Sequence, residues 1–124
     1  ILRLTARFAQ EWNTWGTPSG AGKVMRKLVE ACEKEGRDPA TVRKSVQALF
    51  VVTPDAESAA KMRERIPSDR GVVGTIDDIN AAVEEYRAHG FDEVCVPDFT
   101  MGGSAAQRRE NYEAFAAGVC ANFR

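Results

Sequence analysis

The chain has 124 residues, a formal net charge of −1 with the two signs interspersed, and 44% hydrophobic residues, enough for one modest domain with a real core. It offers no basic footprint of the kind a nucleic-acid or membrane-surface binder carries. Its longest apolar run, residues 48–52, is far too short to span a bilayer.

Residues 1–9 predict a helix with Ile1, Leu4 and Phe8 on one face and Arg3 and Arg7 on another. No N-cap precedes Ile1, and neither an initiator Met nor a cleavage pattern is present, so the opening reads as the middle of something longer. Residues 11–15 are short and aromatic and predict a brief strand. Gly16-Thr17-Pro18-Ser19-Gly20 is a loop by composition. A helix follows over residues 22–35 with Val24, Leu28, Val29 and Cys32 inward, and Gly36 ends it in the left-handed position. Arg37-Asp38-Pro39-Ala40-Thr41 is a turn in which Pro39 opens a helical turn.

Residues 45–52 form a nearly continuous apolar run and predict one strong strand. Thr53 is the expected cap of the next helix, with Pro54 at its first position and Asp55 and Glu57 in its first turn. That helix stops near Arg65, before Pro67, and residues 68–71 read as a polar loop. Thr75, after Gly74, caps another helix with Asp78 three residues on. Ile76, Ile79, Val83 and Tyr86 make its apolar stripe, and Gly90 terminates it. Val94-Cys95-Val96-Pro97-Asp98-Phe99 then predicts a final strand buried on both faces. Ser104 and Gln107 form a capping box for the last helix, whose inward positions are Tyr112, Phe115, Ala116 and Val119.

Strands alternating with helical crossovers predict an α/β fold with a parallel sheet of about three strands. Three strands is few for such a sheet. A closed eight-stranded barrel takes about 250 residues, so residues 1–124 are expected to be the C-terminal part of a (β/α)8 TIM barrel, with the N-terminal strands outside this chain. Cys32, Cys95 and Cys120 are odd in number and widely spaced, which fits buried thiols in a reducing, cytoplasmic compartment better than a disulfide frame or a metal site.

Several residues invite a chemical reading. Gly20-Ala21-Gly22-Lys23 suggests a phosphate loop, but Thr17 stands where the first glycine should be and Val24 where a hydroxyl should bind magnesium. His89, the only histidine, sits one residue before a helix-ending glycine, where a cation meets the negative end of the helix dipole. Asp98 lies at the carboxyl end of a buried strand, either on an active-site rim or capping its own turn. Trp12 and Trp15 flank Asn13 and Thr14, and an aromatic beside an amide either lines a pocket for a flat ring or packs the core. Gly74 and Thr75 either present backbone amides to a phosphate or form an ordinary cap. Arg63, Arg65 and Arg70 either hold an anion or form a solvated face.

Several stretches together carry a resemblance. Ala6-Arg7-Phe8-Ala9-Gln10-Glu11-Trp12-Asn13 resembles the pattern ARYADEWN, with Gln10 where the pattern has Asp. Gly36-Arg37-Asp38-Pro39-Ala40-Thr41-Val42-Arg43 resembles GRDPATIR and is followed by the strand residues Ser45-Val46-Gln47. Gly74-Thr75 opening a helix, and Gly90-Phe91-Asp92-Glu93 running into Val96-Pro97-Asp98-Phe99, resemble a closing segment of the same kind. The family is the luciferase-like monooxygenases, flavin- or deazaflavin-dependent (β/α)8 barrels related to bacterial luciferase.

The resemblance covers nearly the whole chain but only the C-terminal part of the family. It implies an oxidoreductase or monooxygenase in which FMN or a deazaflavin coenzyme carries the chemistry and the protein positions it. It implies that Trp12 and Asn13 lie on the cofactor side of the barrel mouth; Gly74 and Thr75, from the phosphate reading of their helix start, complete the candidate cofactor residues. Asp98 and Thr100 are implied on the substrate side. The expected partner is a small-molecule substrate, with no nucleic acid, membrane or metal, and the chain itself carries no complete catalytic set. The alternative is a non-catalytic half-barrel module that forms a homo-oligomer through its open sheet edges, or associates with the missing N-terminal part.

Overall fold

Every strand pairing among the described residues, 1–123 of a computed structural model, is parallel, as helical crossovers require. Helix α1 (Leu2–Phe8) leads into strand β1 (Glu11–Trp15), and helix α2 (Pro18–Lys34) returns the chain to β2 (Arg43–Gln47). Strand β3 (Phe50–Val52) continues β2 after a break; α3 (Ala56–Arg63) then leads to β4 (Val72–Gly74). Helix α4 (Ile76–Ala88), strand β5 (Glu93–Cys95) and helix α5 (Ala105–Gly118) complete the order. The strands form a three-stranded sheet, β1-β2-β5, and a two-stranded one, β3-β4.

The expected single strand over residues 45–52 is therefore two strands. The Ala48 amide donates to the Cys95 carbonyl at 3.0 Å, whereas the next carbonyl, that of Leu49, accepts from the Val72 amide at 2.9 Å. The chain changes partner there, from β5 to β4. Strand β4 was not anticipated, because three residues between a polar loop and a helix cap leave no periodic signal.

Helix α2 begins four residues earlier than expected, with Thr17 at the N-cap and Pro18 in the first turn, so part of the predicted loop is helical. Its buried positions are Pro18, Ala21, Gly22, Met25, Leu28 and Cys32, while Val24 and Val29 are only half-buried. Gly22 lies against α4: a Cβ there would stand 2.7 Å from the His89 ring. The third helix is capped by Asp55 rather than Thr53, the Asp55 carboxylate accepting from the Ser58 amide at 2.7 Å. The prediction for α4 holds for its cap and its end, while Ile76 and Val83 of its stripe are only half-buried and Ala82 is buried beside them. Thr75 and Asp78 form a reciprocal capping box, Ile79 and Tyr86 are buried, and Gly90 takes a positive φ of 90°.

The end helices differ from expectation. Ile1, Leu4 and Phe8 are exposed, and Ala6 is the buried residue of α1. Arg3 reaches Glu35 at 2.6 Å and Arg7 approaches it at 3.6 Å, so the basic side and the small Ala6 meet α2 while the large apolar side faces away. On α5, Phe115 and Val119 are buried but Tyr112 and Ala116 are exposed. The Ser104 hydroxyl accepts from the Gln107 amide at 3.2 Å, but the Gln107 side chain accepts from Gly103, one residue before the cap. Only half of the predicted box forms.

The core gathers between the sheet and helices α2 and α4. Phe50 packs at 6.3 Å from Tyr86 and 6.1 Å from Phe115, and Tyr86 meets Phe91 edge-on at 5.9 Å. Of the cysteines only Cys32 is buried; Cys95 is half-buried and Cys120 exposed. Strand β5 is half-buried rather than covered on both faces, and among the described residues no strand pairs with its outer edge. No helix of the described residues is long and apolar enough to cross a membrane.

Candidate functional site

Alternation along the strands divides the three-stranded sheet into two faces. Trp12, Thr14, Lys44, Val46 and Val94 share one face, and Trp12 stacks on Phe91 there at 6.2 Å. Lys44 is buried on this side, its ammonium donating to the Pro39 carbonyl at 3.2 Å and lying 3.6 Å from Asp92. The opposite face carries Glu11, Asn13 and Trp15, then Arg43, Ser45 and Gln47, then Glu93 and Cys95. It is open and polar.

Register sorts this open face into rows across the strands. At the amino end, Arg43 lies 3.8 Å from Glu11 and also pairs with Glu93. In the middle, the Asn13 amide donates to the Ser45 hydroxyl at 2.8 Å. At the carboxyl end, Trp15, Gln47 and Cys95 stand side by side. The Cys95 thiol is held above its ordinary pKa by burial, and the hydrogen bond to Glu93 and that residue's charge act in the same direction. It stays a thiol near neutrality.

The rim of the face follows directly from these strand ends. Strand β1 ends at Trp15, with its side chain 59% exposed, and turns through Gly16 into α2. Strand β5 leads through Pro97 into a 3-10 turn over Asp98–Thr100. Asp98 is exposed there; its carbonyl accepts from the Met101 amide at 2.9 Å. The Thr100 hydroxyl donates to the Pro97 carbonyl at 3.3 Å, and Phe99 is 66% exposed. Asp98 and Thr100 thus stand at the same end of the sheet as Trp15.

The other predicted site residues lie elsewhere. Trp12 is on the helix side, so of the predicted pair only Asn13 faces the open side. Gly74 ends β4, and a Cβ on it would collide with the Asp78 side chain. The Thr75 amide donates to the Asp78 carboxylate at 2.9 Å, so this helix start already holds an anion of its own. Arg63 donates to the Val73 carbonyl at 2.9 Å and lies 3.4 Å from Asp78.

A cleft of about 440 Å³ between the starts of α2 and α4 is lined by Thr17, Ser19, Arg63, Ser68, Asp78 and Glu85. A second, of about 760 Å³, lies on the helix side among Phe50, Val83, Val94, Phe115 and Phe123. Trp12, Asn13, Gly74, Thr75, Asp98 and Thr100 line neither. Among the described residues no group of His, Cys, Asp or Glu side chains is placed to hold a metal. Trp15, Ser45, Gln47 and Cys95 were not singled out from the sequence as a set. Trp15 was already a candidate from its place flanking Asn13 and Thr14, whereas Ser45, Gln47 and Cys95 need the strand register.

No protein-family profile and no curated protein matches the chain. Solved structures do. The coenzyme F420-dependent tetrahydromethanopterin reductase from Methanopyrus kandleri superposes with a TM-score of 0.75 at 13% identity, covering 100% of this chain and 48% of that one. An F420-dependent secondary alcohol dehydrogenase, in complex with an F420–acetone adduct, gives 0.68 at 14% identity over 97% of this chain and 45% of its own. The long-chain alkane monooxygenase LadA gives 0.61 at 10% identity over 95% of this chain and 39% of its own. At these identities the likeness shows the fold: parallel strands and flanking helices matching part of a (β/α)8 barrel. The chain spans less than half the length of each of these structures.

Proposed function

We propose that this chain is the closing part of a flavin- or deazaflavin-dependent oxidoreductase and supplies wall and rim to a site whose remaining wall comes from the other strands of the barrel. The observation that carries the reading is the in-register run β1-β2-β5, whose open face ends in the row Trp15–Gln47–Cys95. In parallel barrels the carboxyl ends of the strands bear the chemistry. The structural likeness to two F420-dependent enzymes makes a deazaflavin the first cofactor to test and FMN the second.

The residues present fit the ring of such a cofactor better than its phosphate. Trp15 offers an aromatic surface, and Gln47, Asn13 and Ser45 offer donors and acceptors on the same face. The amide of Thr75, the one helix start predicted to hold phosphate, is occupied by Asp78. The bound cofactor would supply hydride or oxygen chemistry. This chain's part is to orient the ring edge through Asn13, to exclude water with Trp15 and Phe99, and to present Asp98 and Thr100 to a small-molecule substrate.

The 124-residue chain alone then lacks most of the site. Titration with FMN or a deazaflavin, followed by cofactor fluorescence, is expected to show no binding tighter than about 1 μM. Sub-micromolar binding by the isolated chain overturns the partial-site reading.

A second reading is favoured by the unpaired outer edges of β1 and β5 and by the exposed Ile1, Leu4 and Phe8. Open parallel edges and an uncovered apolar helix face are what a self-associating half-barrel presents. Sedimentation equilibrium of the isolated chain separates the two: a stable dimer supports this reading, and a compact monomer removes it.

A further inference from the structure

Tyr86 carries more than its ring requires. The ring is satisfied by packing, edge-on to Phe91 at 5.9 Å and tilted to Phe50 at 6.3 Å, and a phenylalanine would make the same contacts. The hydroxyl reaches across the core from α4 and donates to the carbonyl of Gly16 at 2.6 Å, a partner 70 residues away. Among the described residues no backbone amide donates to that carbonyl, so the phenol is its one hydrogen-bond partner in the protein. Gly16 has a φ of 135°, a conformation open to glycine and strained for other residues, so the backbone between β1 and α2 has no strand or helix ladder of its own at this point.

Two further contacts make the tie rigid. Phe91 follows α4 and stacks on Trp12, which fixes the covered face of β1. His89, three residues beyond Tyr86, packs on Gly22 of α2. The β1–α2 unit is thus gripped on both sides of Gly16, with the Tyr86 hydroxyl at the joint. Burial holds the phenol proton in place well into the alkaline range.

We propose that Tyr86 is a positioning residue for the rim: by holding the Gly16 carbonyl it fixes the backbone that carries Trp15 at the carboxyl end of the open polar row. The inference deepens the proposed function and rests on it only for what Trp15 faces.

The test is ¹⁵N relaxation of the Trp15 and Gly16 backbone amides in the 124-residue chain, with the Trp12 backbone amide as the internal reference. Trp15 and Gly16 are expected to have order parameters of about 0.85 in the unaltered chain and to fall below about 0.6 in Tyr86→Phe, while Trp12 stays rigid in both proteins. Phe50→Leu, which disturbs the packing around Tyr86 but keeps the hydroxyl, is expected to lower stability without loosening Trp15. The proposal is overturned if Trp15 is already mobile in the unaltered chain, if Tyr86→Phe leaves it rigid, or if Phe50→Leu loosens it equally. Should Tyr86→Phe not fold, the unaltered chain still decides, since a mobile Trp15 there sinks the idea and a rigid one supports it. No cofactor enters the measurement, so its outcome is independent of the binding titration.

Discussion

Phe50→Ala is expected to lower the unfolding free energy by about 3–5 kcal/mol, the usual range for emptying a buried phenylalanine site. Phe50 is fully buried and joins the two halves of the core, with Tyr86 of α4 on one side and Phe115 of α5 on the other. It also begins β3, the strand that pairs with β4. Neither helix can close the void alone, because Tyr86 is held by its own hydroxyl bond and α5 contributes only Phe115 and Val119 to the core. A domain of this size has about 5–15 kcal/mol in total, so the variant should unfold at distinctly lower denaturant. Urea unfolding followed by far-UV circular dichroism measures it. A loss below about 1 kcal/mol would mean that the aromatic cluster is not the centre of the core.

The same cluster shows where reading the sequence succeeds. Helix α4 was legible because its signals are local: a cap three residues from its partner, an apolar stripe of helical period, and a terminating glycine. The parallel sheet was legible from the alternation of elements, and β2 and β5 do pair in parallel, Val46 beside Val94. What stayed hidden depends on partners distant in the chain. The break between β2 and β3 lies inside a uniformly apolar run, and only the later arrival of β4 and β5 decides where pairing changes. Ile1, Leu4 and Phe8 turn outward while the basic side of α1 meets Glu35, a partner too distant in the chain for a local pattern to announce. At the candidate site, period-two alternation puts Trp12 and Asn13 on opposite faces, but which face is covered is set by Phe91. The expected final strand over residues 94–99 stops at Cys95, where pairing with β2 ends, so Asp98 and Thr100 stand in the turn that follows rather than at the strand's own end.

Raising the pH should expose Tyr86 as a stability determinant. Burial, with a smaller contribution from the neighbouring Glu85 charge, raises its pKa in the folded chain above the ordinary value of 10.0. The unfolded chain therefore loses this proton first. Stability supplied by the protonated phenol is complete below pH 10.0 and declines above it, as the unfolded state gains the free energy of ionisation. The decline for one such group approaches about 1.4 kcal/mol per pH unit. Tyr86→Phe has no proton to lose, and every other titrating group is common to both proteins. The difference in unfolding free energy between the unaltered chain and the variant should thus be constant from neutrality to about pH 9 and shrink steadily beyond pH 10. Urea unfolding of the pair at matched pH values gives the comparison directly. A difference that stays level through pH 11 would show that the phenol is reached by solvent in the folded state, and the tie to Gly16 would then lose its rigidity as well.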